Sequence, residues 1–181
     1  RTEEFYDFYK DRMLYLDAKP NKAHQKLAEL EQAGKLSAVI TQNIDGLHQA
    51  AGSKKVYELH GSVLRNYCVK CHKFYPVEAV KNAPGVPYCE CGGLIKPDVV
   101  LYEEGLDNDV ISGAVHAIAQ ADTLIIGGTS LVVYPAAGLI DYFHGKHLVV
   151  INRDATSRDK QAELCISDSI GEVLGQIEVH A

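Results

Sequence analysis

The chain lacks any apolar stretch approaching the roughly 20 residues that a membrane-crossing helix needs. Its opening, Arg1 to Asp11, has no apolar core of the kind a secretory signal carries. It has no basic block either: 18 Lys and Arg stand against 24 Asp and Glu, a net charge of -6. That balance offers no attraction to nucleic acid or to an anionic bilayer, so neither is expected as a partner. Internal repeats and low-complexity tracts are also missing. With 181 residues, 46% of them hydrophobic, there is material for one packed domain and a small module. A cytoplasmic monomer is expected.

Cysteine is scarce outside one place. Four of the five lie between Cys68 and Cys91, a clustering that in a reducing compartment points to metal over disulfides. Cys68-x2-Cys71, seventeen intervening residues and Cys89-x-Cys91 come close to the paired-cysteine spacing of a zinc ribbon. Thiolates at about 2.3 Å from a tetrahedral zinc would brace a loop that has too few apolar residues for a core of its own. A shell of four sulfurs leaves no position for water, so the metal is expected to be structural. The second pair has one spacer where two are usual, and Gly92-Gly93 is suited to supply the turn this demands. His72 is expected at the surface, and Cys165, alone in an apolar run, as a buried thiol.

The rest of the chain alternates helix and strand patterns. Asn21 to Gly34 places Ala23, Leu27, Leu30 and Ala33 near helical spacing, with Asn21 fit to cap the start and Gly34 the end. Leu36 to Thr41 reads as a strand leading into the polar loop Gln42 to Gly46. Val99 to Tyr102 reads as a strand, Asp107 to Ala121 as a helix and Thr123 to Gly128 as a strand. Pro135 starts a helix running to Gly145, His147 to Asn152 is a strand, and a last helix begins near Gly171. Short, continuously apolar strands separated by helices predict an α/β fold: a Rossmann-like parallel sheet with helices on both faces, plus the zinc-ribbon module. In such sheets ligands bind beyond the carboxyl ends of the strands, where the loops at Gln42 to Asp45, Gly127 to Ser130 and Asn152 to Asp154 would fall.

Thr41-Gln42-Asn43-Ile44-Asp45-Gly46-Leu47-His48, then Glu58-Leu59-His60-Gly61-Ser62, the cysteines, and Lys96-Pro97-Asp98-Val99-Val100 resemble the sirtuins in order and spacing. Gly128-Thr129-Ser130-Leu131-Val132-Val133-Tyr134-Pro135-Ala136 and Ile151-Asn152-Arg153 continue the resemblance over nearly the whole chain. It implies an NAD-binding Rossmann-like domain at 1–64 and 98–181, with a zinc-binding module at 65–97. It also implies NAD-dependent removal of acyl groups, acetyl first among them, from protein lysines, giving nicotinamide and O-acyl-ADP-ribose.

In that chemistry the acyl-lysine carbonyl oxygen displaces nicotinamide from the ribose, and the acyl group then passes to the sugar. An oxocarbenium-like sugar needs fixed amide and carboxylate groups around it. The resemblance assigns Gln42 and Asn43 to ribose hydroxyls and a water, and Asp45 with the Ile44 backbone to the nicotinamide carboxamide. Deprotonating a ribose hydroxyl calls for a base titrating near neutrality, and imidazole, at about 6.5, fits. His60 is the catalytic choice, with Asn43; His24, His116, His144 and His147 are read as surface or satisfied core residues.

Gly128, Thr129 and Ser130 are implied near the cofactor's phosphates and ribose, Asn152 and Arg153 at the adenosine ribose, and Ser169 with Ile170 near the adenine. The acyl-lysine peptide is expected to add as a strand along Val100 and Tyr102 on one side and Val133 on the other. The strand, glycine-rich loop and Pro-Asp-Phe-Arg segment with which sirtuins open do not occur here. The expectation is therefore a portion of a longer enzyme, with little turnover by itself. The rival classes are an ADP-ribosyltransferase and a catalytically inactive protein that binds a partner or ADP-ribose.

Overall fold

The computed structural model describes residues 1–180. In chain order the first elements are α1 (Thr2–Phe8), a short π-helical turn (Tyr9–Met13), α2 (Lys22–Gln32), β1 (Val39–Thr41), α3 (Leu47–Ala50) and β2 (Val56–Glu58). Then come β3 (Gly61–Cys68), β4 (Phe74–Pro76), α4 (Val77–Lys81), β5 (Ile95–Val99), α5 (Asn108–Gln120) and β6 (Thr123–Gly127). A 3-10 helix (Ala136–Tyr142), β7 (His147–Ile151), a second 3-10 turn (Asp159–Gln161), β8 (Leu164–Ile166) and α6 (Ile170–Gly175) complete the fold. Among the described residues no helix is long and apolar enough to cross a membrane.

The chain divides into two compact units. The first gathers Arg1–Ala18, Asn43–Gly46 and His60–Gly105. Its antiparallel sheet has the order β4-β3-β5, with Tyr67 opposite both Phe74 and Lys96. One face of this sheet closes over Tyr6, Tyr9, Val63, Val80, Ile95 and Val99, and Cys68 and Cys89 belong to the same buried cluster. The Tyr6 hydroxyl, taken out of water, donates to the Ile95 carbonyl at 2.5 Å, and burial pushes its pKa up to about 12. Lys10 Nζ ties the Ala83 and Gly85 carbonyls at 2.7 and 2.6 Å, which satisfies backbone acceptors of a loop that has no ladder partner.

The second unit holds Lys19–Gln42, Leu47–Leu59 and the chain from Leu106 onward. Its strands are parallel, in two ladders, β1-β2 and β6-β7-β8. Alternation along β7 feeds both faces: Leu148 and Val150 pack with Ile126 and Leu131, whereas Ile151 packs with Ala23 of α2 and Leu174 of α6. Ile151 and Leu174 are almost wholly buried, at 2% and 1% exposure; each contributes about 1.5–3 kcal/mol by leaving water. Against a further cluster lies α5, through Ala114 and Ile118.

Local chemistry explains these helices. Asn21 Oδ1 accepts from the His24 backbone N–H while His24 Nδ1 accepts from Asn21 N–H, a reciprocal cap on α2. Asp107 caps α5 by accepting from Asp109 and Val110 N–H, and Gly34, at φ +73, lets the chain leave α2.

Several expectations need correction. The strand placed at Val99 to Tyr102 ends at Val99, because Glu104 closes a turn: its carboxylate accepts from Leu101 N–H at 3.0 Å and its own N–H bonds the Leu101 carbonyl. That strand is also antiparallel to β3 and no member of the parallel sheet. The helix predicted from Pro135 to Gly145 is a 3-10 helix ending at Tyr142, and the first strand spans only Val39–Thr41 of Leu36 to Thr41. Cys165 is exposed, not buried, since it sits on β8, the edge strand of its sheet. His24 is a satisfied buried histidine, and His72, His116, His144 and His147 lie at the surface.

Candidate active site and metal centre

His60 joins β2 to β3, and its neighbour explains why the chain can pass there. Gly61 has φ +78, and a Cβ on it would lie 1.9 Å from the Asp98 carbonyl oxygen; any side chain would force β3 and β5 apart. The His60 carbonyl in turn accepts from Val100 N–H at 3.0 Å. His60 is therefore fixed by its backbone on both sides. The polar loop Asn43–Gly46 is pinned to the start of the same strand: Val63 N–H donates to the Ile44 carbonyl at 3.0 Å. Gly46, at φ +71, leaves so little room that a Cβ would meet Leu64 Cδ1 at 2.6 Å. Asn43, Ile44, Asp45 and His60 all belong to the first unit, with Asn43 exposed and the other three half-buried. Gln42 closes β1 in the second unit.

In the second unit the carboxyl ends of β6 and β7 open onto a cleft of about 730 Å³. Gly128, Asn152, Arg153, Ser169 and Ile170 all line it. Two glycines make the wall: a Cβ on Gly127 would meet Ile170 Cδ1 at 2.0 Å, and Gly128 has φ +62. Gly128 N–H donates to the Ile151 carbonyl at 3.2 Å, Asn152 Nδ2 to the Asp154 carbonyl at 3.1 Å, and Ser169 Oγ caps α6 by accepting from Glu172 N–H. Thr129 and Ser130 follow Gly128 without lining the cleft; Thr129 Oγ1 accepts from Leu131 N–H at 3.2 Å.

All four sulfurs of Cys68, Cys71, Cys89 and Cys91 lie within 4.8 Å of one another, with Cys68–Cys91 at 3.5 Å and Cys71–Cys89 at 3.6 Å. Zinc–sulfur bonds of about 2.3 Å give a tetrahedron with edges of about 3.8 Å, so this donor set fits zinc in size and in kind. The short second pair converges because the chain turns at Gly92, φ +82, whose N–H bonds the Cys89 carbonyl. N–H groups of Cys71 and Lys70 hold the Cys68 thiol below its usual range against the effect of burial. The Tyr75 hydroxyl, and after it the Cys91 N–H, brings Cys89 down to about 6. Both shifts favour the thiolate that a metal requires. Cys91, despite the Gly93 N–H, is pushed up to about 12 by the Cys68 thiol, burial and the other two sulfurs.

A match to the family described as Sir2 family extends over residues 1–135. The chain belongs to the Sir2 family. Among its Sir2 relatives is a protein of Clostridium perfringens named NAD-dependent protein deacetylase, 64% identical over 177 residues, which cover 97% of this chain and 72% of the relative. A protein of the same name from Clostridium acetobutylicum is 61% identical, over 96% of this chain and 71% of that one. Solved Sir2 structures superpose closely. One with a p53 peptide and NAD+ has a TM-score of 0.88 at 46% identity, covering 95% of this chain and 75% of that one. Another, bound to a propionylated peptide, has the same score and identity, covering 95% and 76%.

In this Sir2 chain, Val100 and Tyr102 follow β5, with Tyr102 95% exposed, and Val133 lies in the loop after β6 at 48% exposure. The loop Asn152 to Asp154 lines the cleft as expected, whereas sequence reasoning missed Asp168 and the start of α2, where Asn21, Lys22 and Gln25 form one wall. Asn21 was legible as a helix cap, but nothing in the local pattern places that cap beside Asn152.

Proposed function

We propose that this Sir2-family protein is an NAD-dependent protein-lysine deacetylase in which His60 and Asn43 carry the chemistry. The observation that supports the assignment is that the loop Asn43–Asp45 is hydrogen-bonded, through the Ile44 carbonyl and Val63 N–H, to the strand that begins just after His60 at Gly61. NAD supplies the ribose that takes up the acyl group and the nicotinamide that leaves. His60 acts as the general base, accepting the proton of a ribose hydroxyl so that the oxygen can attack; imidazole does this near neutral pH. Asn43 and Gln42 hold ribose hydroxyls and the water, and Asp45 with the Ile44 backbone holds the carboxamide, each fixed before reaction so that little reorganisation is required.

Gly128, Thr129 and Ser130 take the phosphate and ribose portion, Asn152 and Arg153 the adenosine ribose, and Ser169 with Ile170 the adenine. The cleft that five of these residues line has the polar backbone and side-chain groups such a ligand needs. Val100, Tyr102 and Val133 flank the acyl-lysine peptide, held mainly through backbone hydrogen bonds, so that many sequences serve. Zinc bound by Cys68, Cys71, Cys89 and Cys91 braces the first unit and takes no part in the reaction. A monomer acting in the cytoplasm agrees with the composition and with a reduced four-thiol cluster.

The reading is tested by following nicotinamide release from NAD with and without an acetyl-lysine peptide. Release should require the peptide and match its deacetylation one for one. Release at the same rate without peptide would replace this reading with NAD glycohydrolase or ADP-ribosyl-transfer chemistry.

A further inference from the structure

Tyr75 reaches the cysteine cluster from the short strand β4. Alternation along Lys73-Phe74-Tyr75-Pro76 turns Phe74 outward, 51% exposed against Tyr67, and Tyr75 inward. The Tyr75 hydroxyl donates to Cys89 Sγ at 3.0 Å. Backbone N–H groups also donate to these sulfurs: Lys70 and Cys71 to Cys68, Cys91 to Cys89 and Gly93 to Cys91. Tyr75 is thus a side-chain donor, whose hydroxyl can be removed by substitution while its ring stays packed on the core. Its own position is fixed. Asn66 Nδ2 holds the Tyr75 carbonyl at 3.4 Å, and Lys73 Nζ stands 5.3 Å from the ring centroid while pairing at 3.3 Å with Glu90, the residue between Cys89 and Cys91.

Four thiolates around a divalent ion leave a net charge of about −2, which must be offset by donors where water is excluded. Cys89 is such a place, only 6% exposed. A phenol donor there spreads the charge of the sulfur and restricts where it can point, while the ammonium of Lys73 over the ring face draws density from the phenol and strengthens the donor.

We propose that Tyr75 is a positioning residue of the metal centre: its hydroxyl fixes the Cys89 sulfur as a zinc ligand and slows release of the metal. The inference rests on the four cysteines holding zinc, and the two fail differently.

Tyr75→Phe keeps the ring and removes only the donor. In the whole protein loaded with zinc, transfer of the metal to a chromogenic chelator should be about 10–100-fold faster in the variant, the usual scale for losing an outer partner of a ligand. In cobalt-loaded protein the sulfur-to-metal charge-transfer band should move, a signature that a packing role would not produce. Tyr67→Phe, on the same sheet but turned away from the sulfurs, should leave both readouts unchanged. Wild-type release and an unmoved band in Tyr75→Phe would overturn the proposal, as would equal acceleration in Tyr67→Phe, which would mean a loosened sheet. A wild-type protein that binds neither zinc nor cobalt one to one would remove the zinc reading itself and this proposal with it.

Discussion

Replacing His60 with alanine should lower kcat/KM for acetyl-lysine peptide by about 10²–10⁴-fold, the scale of a lost general base. The substitution removes the imidazole but neither of the backbone features that hold this position, the Val100–His60 hydrogen bond and the side-chain-free Gly61. Zinc content and thermal stability should therefore stay close to wild type, which separates a chemical loss from a folding defect. In the proposed reaction His60 serves the attack by the ribose hydroxyl, a step that follows departure of nicotinamide. Exchange of labelled nicotinamide into NAD, measured with the same peptide, should consequently fall much less than product formation. Wild-type turnover in His60→Ala would take the residue out of its role.

Stripping the metal site should affect the fold of the first unit, not only a surface loop. Cys68 and Cys89, at 0% and 6% exposure, pack in one cluster with Tyr6, Tyr9 and Val80, so two of the four clustered cysteines are also core residues. Cys68→Ser should reduce bound zinc well below one per chain by elemental analysis. It should lower the melting temperature by on the order of 10 °C, since structural zinc carries several kcal/mol of folding energy and each kcal/mol shifts a chain of this size by about 2–4 °C. Cys165→Ser is the control: that thiol is exposed on β8 and outside the cluster, and its loss should change neither quantity. Full zinc occupancy and an unchanged melting curve in Cys68→Ser would show that the four sulfurs do not hold the metal together.

The parts of the fold that were legible are those where local and tertiary preferences agree. Helices α2 and α5 carry their caps in the sequence, Asn21 and Asp107, and their inward faces at helical spacing. β7 carries the apolar run Leu148 to Ile151 because both of its faces are covered, while β6 buries Ile126 and leaves Ile125 40% exposed. The cysteine pairs were legible because metal geometry tolerates few spacings, and even the irregular second pair was explained by Gly92.

Legibility failed where a distant partner decides. β5 contains Pro97, which argues against a strand, yet it pairs with β3 across a register shift between Ser62 and Asn66 that accommodates it. Cys165 looked like core because its neighbours are apolar, but an edge strand leaves one side uncovered. Nothing in residues 1–18 announces that Tyr6 and Tyr9 will be the most buried aromatics of their unit; that follows from the sheet they lie against. In the candidate site, the loop after β7, Asn152 to Asp154, was placed by the strand-end rule, whereas Asp168 and the wall from α2 emerge only once α2 packs on α6.

Mass spectrometry of the products formed from NAD and an acetyl-lysine peptide tests the central claim most directly. The account predicts that the acetyl group leaves lysine attached to ADP-ribose, in equal amounts with nicotinamide and deacetylated peptide. Deacetylated peptide accompanied by free acetate from the outset, with NAD unconsumed, would contradict it.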